Sequence, residues 1–143
     1  MAERHRIIIV EDEPALAELL VRLIMRHYPT ALVTTFWSGQ EALEAYTQQG
    51  ADLLMVDRGV PGMDGLAMTR TLRQQGDAVP IIGMSGDPAF RDPYLAAGAN
   101  VFLSSSELFE QIEAVLERLL PKSAPGEGEQ EQGRARGAVA GRG

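Results

Sequence analysis

Five short apolar runs, each followed by a stretch with helical spacing, constrain this chain more than any other feature. Arg6–Val10 is rich in β-branched residues and ends in the string Glu11-Asp12-Glu13-Pro14. Leu16, Leu19, Leu20, Leu23 and Ile24 then recur on one helical face. Ala31–Phe36 reads as a second strand. Ser38-Gly39-Gln40-Glu41 has the S-x-x-E form of a capping box and opens a helix to about Gln48. Leu53–Val56 is the third strand, and Asp64 caps a helix running to about Gln74. Val79–Met84 is the fourth, with Asp87-Pro88 as the cap and first-turn proline of the helix after it. Val101–Leu103 is the fifth, and Leu108, Ile112, Val115, Leu116 and Leu119 line one face of a last helix stopped by Pro121.

Strands apolar on both faces, alternating with helices, predict an α/β fold: a doubly wound (βα)5 unit with a five-stranded parallel sheet covered on both sides. Such sheets bind ligands at the carboxyl ends of their strands, where the strand order reverses. The residues just after each strand are therefore the candidates for function.

Composition narrows the classes. The 143 residues suffice for one domain with a tail. With no cysteine, disulfides, zinc-thiolate sites and cysteine nucleophiles are excluded. Up to Pro121 there are 9 Arg/Lys against 17 Asp/Glu, a balance of −8 within a net charge of −7. An acidic body argues against direct contact with nucleic acid, whose phosphates repel it. The start, MAERHRIIIV, lacks the long apolar core of a signal peptide, and no stretch approaches the roughly 18 apolar residues of a membrane span. A cytoplasmic protein with no membrane partner is the expectation. From Lys122, the only lysine, the text becomes KSAPGEGEQEQGRARGAVAGRG. Glycine-rich and without aromatics, it buries too little surface to offset ordering entropy. The expected division is a folded domain over 1–121 and a disordered tail over 122–143. His5 and His27, near a terminus and a helix end, are read as solvated.

The strand ends carry the chemistry. Strand 1 presents Glu11 and Asp12, strand 3 presents Asp57, strand 4 presents Ser85, and strand 5 presents Phe102 followed by Ser104-Ser105-Ser106. Three carboxylates at neighbouring strand ends repel one another, and a divalent cation resolves the conflict. All-oxygen ligands with room for water and phosphate suit Mg2+. Other readings stay open. Glu11 and Asp12 also suit the positive end of a helix. Ser85 also fits a turn serine, and Phe102 a plain core residue.

VEDE at 10–13, VDRGVPGMDG at 56–65, MSG at 84–86 and AGANVF at 97–102 occur in the order and spacing of a two-component response regulator receiver domain, which the chain resembles from about residue 5 to 121. The resemblance implies a flavodoxin-like receiver with strand order 2-1-3-4-5, and it implies roles. Asp57 would accept a phosphoryl group from a histidine kinase or phosphotransfer protein. Glu11, Asp12, Asp57 and the backbone carbonyl of Gly59 would hold Mg2+. Ser85 would be the switch hydroxyl and Phe102 the aromatic that follows it inward. The protein would be a signalling switch rather than an enzyme acting on a separate substrate, and homodimerisation is compatible with the family.

One departure stands out. The family places Lys-Pro after strand 5, and here Ser105 and Ser106 stand there. These serines also fit a helix cap, since Ser104-Ser105-Ser106-Glu107 is again S-x-x-E. Arg58 follows Asp57 directly and Arg91 lies early in the fourth helix, which makes each a candidate to reach the phosphate. The departure favours a rival reading, a phosphorylation-independent receiver-like module that binds a protein partner. A haloacid dehalogenase-type phosphatase is disfavoured because the position two after Asp57 is Gly59, not aspartate. A flavodoxin-like cofactor binder is disfavoured by acids after strand 1, where phosphate needs hydroxyls and amides.

Overall fold

The computed structural model describes residues 5–120. The elements run β1 (Arg6–Val10), α1 (Pro14–His27), β2 (Leu32–Phe36), α2 (Gly39–Gln49), β3 (Leu53–Asp57), α3 (Gly65–Gln74), β4 (Ile81–Ser85), a 3-10 turn (Pro88–Phe90), α4 (Arg91–Ala97), β5 (Val101–Ser104) and α5 (Ser105–Leu119). All strand pairs are parallel, in the order β2-β1-β3-β4-β5. The expected tail lies outside the described residues.

Strand alternation sorts the core into two layers. Ile7, Ile9, Leu53, Met55, Ile82 and Met84 face α1 and α5. Ile8, Val10, Leu54, Val56 and Ile81 face the layer that contains Leu66, Met68 and Leu72 of α3 and Tyr94 of α4. β1, β3 and β4 are thus apolar on both faces, as expected. β2 is not: it is an edge strand with Thr34 and Thr35 exposed.

Several ends differ from expectation by a residue or two. β3, β4 and β5 each extend to include Asp57, Ser85 and Ser104, because ladder pairing continues there. Ala31 precedes β2, its N–H bound by the Tyr28 carbonyl. Ser38 and Asp64 cap their helices, accepting from the Glu41 and Ala67 N–H groups. Asp87 accepts from Ala89 N, but the turn it starts is 3-10, and α4 begins only at Arg91. The two histidines are not free in solvent. His5 packs edge-on against Tyr28, and His27 Nδ1 lies 3.4 Å from Glu113 Oε2.

Candidate functional site

Register builds the site. Val10 pairs with Val56, so the residues that follow, Glu11 and Asp57, emerge side by side. This is where the strand order reverses, since β2 lies on one side of β1 and β3 on the other. Asp57 pairs with Met84, and Ser85 pairs with Ser104. Carboxylate oxygens of Glu11, Asp12 and Asp57 all lie within 4.8 Å of one another.

The three acids are not equivalent. Glu11 is buried, Asp57 half-buried and Asp12 exposed. Glu11 Oε2 accepts from the Glu13 N–H at 3.1 Å, while Oε1 is buried with no hydrogen-bond partner. Burial, reinforced by Asp57, pushes the Glu11 carboxyl up to about 7. Burial also raises the Asp57 carboxyl, and Asp12 adds to the rise. The Gly59 N–H, 2.9 Å from Asp57 Oδ2, and Arg58 pull it back down. Glu11 also sits at the start of α1: the cap position there is Glu13, which makes no side-chain cap bond of its own and donates its N–H to Glu11. These three acids, one with a buried oxygen that lacks a partner, could together hold a cation.

The other side of the site is electrically closed. Ser85 Oγ accepts from the Asp87 N–H at 3.0 Å. Ser104 N donates to Glu107 Oε1 at 2.9 Å, half of a capping box, so the predicted cap after β5 is present. Ser105 Oγ faces Gly86, 3.6 Å from where a Cβ would stand. Arg91 does not stand open toward Asp57. It donates to both Glu107 oxygens, at 2.7 and 2.8 Å, and to the Phe102 carbonyl. Phe102 is 2% exposed, packed inward between the Arg91 guanidinium and the Tyr94 ring.

A family model, the response regulator receiver domain, matches residues 7–117. The chain belongs to that family. The two-component response regulator PhoP of Pseudomonas aeruginosa is 34% identical over 122 residues, covering 83% of this chain and 53% of that protein. A LuxR-family two-component response regulator from Aurantimonas has a TM-score of 0.68 at 30% identity, covering 81% of this chain and 87% of that one. Response regulator TrrA of Thermotoga maritima, solved in complex with Mg(2+)-BeF, has a TM-score of 0.73 at 27% identity, covering 81% and 99%. The chain spans about half the length of the curated relatives it matches. Among the described residues, no helix of the receiver is long and apolar enough to cross a membrane.

One receiver residue escaped the sequence reading. Tyr94, fully buried on α4, donates from its hydroxyl to the Val56 carbonyl at 3.0 Å, next to Asp57. Its ring occupies the space that a Cβ on Gly83 would need, and its hydroxyl the space beside Gly65. The available signal was Gly83 itself, since glycine inside a strand marks close approach by another group. Arg58 stacks on Phe90, 4.2 Å from the ring centroid. No spacing rule links residues so placed.

Proposed function

We propose that this receiver is phosphorylated on Asp57 by a histidine kinase or phosphotransfer protein of a two-component system and thereby switches a protein-binding face. The observation that carries the reading is the clustering of Asp57 with Glu11 and Asp12 at the switch point of the sheet. An Asp57 oxygen attacks phosphorus, the new O–P bond forms, and the bond to the donor breaks. Glu11, Asp12, Asp57 and the Gly59 carbonyl are the proposed Mg2+ ligands. When bound, Mg2+ neutralises charge on the transferred group. The partnerless Glu11 Oε1 fits that assignment.

Ser85 is assigned the switch hydroxyl. To bond a phosphoryl oxygen, its Oγ–H turns toward Asp57, changing its relation to the Asp87 N–H. Phe102 is assigned the coupled aromatic. It is already inward in this structure, so its response is a repacking against Tyr94 and Arg91 rather than an entry from solvent. The reaction is confined to the protein's own phosphorylation and dephosphorylation, in the cytoplasm. Kinase docking, homodimerisation and the absence of direct nucleic-acid contact belong to the same proposal.

The second reading, a phosphorylation-independent binding module, draws support from Ser105, which brings no charge, and from Arg91, whose charge is held by Glu107. Incubation with Mg2+ and acetyl phosphate separates the two. Intact mass should show one phosphoryl adduct on the wild type and none on Asp57→Asn. A wild type that takes no adduct, with no Mg2+-dependent NMR shifts, supports the second reading instead.

A further inference from the structure

We infer that Arg58 leaves the Phe90 ring and binds the phosphoryl group on Asp57, acting as the principal side-chain cation of the site. The inference rests on the phosphorylation of Asp57 proposed above, and charge accounting motivates it. Once Asp57 is an acyl phosphate, Glu11 and Asp12 together balance one divalent ion. The phosphoryl group's own charge, roughly −1.5 to −2 at neutral pH, is left over. Something cationic has to face it in a half-buried site.

Two arginines are the candidates, Arg58 beside Asp57 and Arg91 at the start of α4. Arg91 is spoken for by bidentate bonds to Glu107 and a third bond to the Phe102 carbonyl. Among the described residues Arg58 makes no salt bridge, and its Nε is buried without a hydrogen-bond partner. Its backbone N–H is anchored to the Met84 carbonyl at 3.0 Å, which holds it against β4. Its guanidinium rests on Phe90, in the turn that follows Ser85. It is close enough to Asp57 to act on that carboxyl electrostatically. A stacked, unpaired guanidinium is stable without phosphate and keeps its donors available for it. Charge-assisted bonds to phosphate oxygens outweigh a single partly buried cation–π contact. Arg58 only redirects its N–H groups.

Test variants are Arg58→Met, which keeps an apolar stack on Phe90 but removes the charge, Arg58→Lys and Arg91→Gln. Each is labelled with acetyl phosphate and Mg2+ beside wild type and Asp57→Asn. Mg2+ affinity is measured in parallel by NMR titration without phosphate donor. Arg58→Met should slow labelling about 10- to 150-fold, the value of one hydrogen bond to a charged group. Its Mg2+ affinity should hold or tighten, since a cation has left the acidic cluster. Arg58→Lys should recover most of the rate, and adding Ser105→Lys to Arg58→Met should recover part of it, from across Gly86. The inference is overturned if Arg58→Met labels like the wild type, or if the loss appears in Arg91→Gln instead. It is also overturned if Arg58→Met loses Mg2+ binding in parallel, which marks a structural role. A wild type that takes no label overturns the phosphorylation of Asp57 itself, and this inference with it. Retained labelling with an unaffected Arg58→Met overturns the inference alone.

Discussion

The two halves of the sheet's carboxyl edge are built on opposite principles. At β1 and β3, three acids crowd together, and a buried carboxylate oxygen has no partner. At β4, α4 and β5, Ser85, Tyr94 and an arginine–carboxylate pair all have hydrogen-bond partners, Tyr94 reaching the Val56 carbonyl on β3. The first half is costly in the absence of a counter-charge, and the second is settled. Tyr94 ties the two halves together, since its hydroxyl donates to the carbonyl one residue before Asp57.

The settled half should break most severely at Tyr94. Tyr94→Ala removes a fully buried ring from between Gly83, Gly65 and Phe102. It should cost about 3–5 kcal/mol in chemical unfolding. A loss under about 1 kcal/mol would show that α4 collapses into the space and that the ring is no clamp.

The strained half should respond in the opposite direction. The Glu11 carboxyl sits near 7 in the fold against an ordinary 4.5. Neutral Glu11 therefore favours the metal-free fold below about pH 4.5, and that support drains away as pH rises toward 7. The shift corresponds to about 3 kcal/mol. Glu11→Gln should accordingly melt higher than wild type at pH 8 without metal and match it near pH 4.5. Mg2+ should stabilise the wild type at pH 8 and do little for the variant. Thermal scans at both pH values check this, and a variant that melts lower at pH 8 would mean that Glu11 is not strained.

Tyr94→Phe sharpens the comparison at smaller cost. It keeps the ring and removes the bond to the Val56 carbonyl, worth about 1 kcal/mol. With that bond gone, backbone shifts on adding beryllofluoride should spread further into α4 than in the wild type. An unchanged shift map would place the coupling elsewhere. The smallest effect belongs to Glu107→Gln, since the Arg91 pair is partly exposed and solvent screens it. It should shift the melting temperature only slightly while loosening Phe102, seen as faster ring flipping by NMR.

Most of the fold was legible because period-2 and period-3.6 patterns are local, and strands covered on both faces leave long apolar runs such as Leu53–Val56. The edge strand β2 and the ends at Asp57, Ser85 and Ser104 were less so, since ladder pairing depends on the neighbouring strand. Of the site, Glu11, Asp12 and Asp57 could be named in advance because strand ends converge in a parallel sheet. Their inequality could not, since burial of Glu11 and exposure of Asp12 depend on what packs over each. Sequence alone thus determined the layers, the acids and the absence of a lysine near β5. Tertiary structure decided which charges are free. It gave Arg91 to Glu107, left Arg58 on an aromatic ring, and drove Tyr94 into the gap at Gly83, because pairing and close packing join residues far apart in the chain.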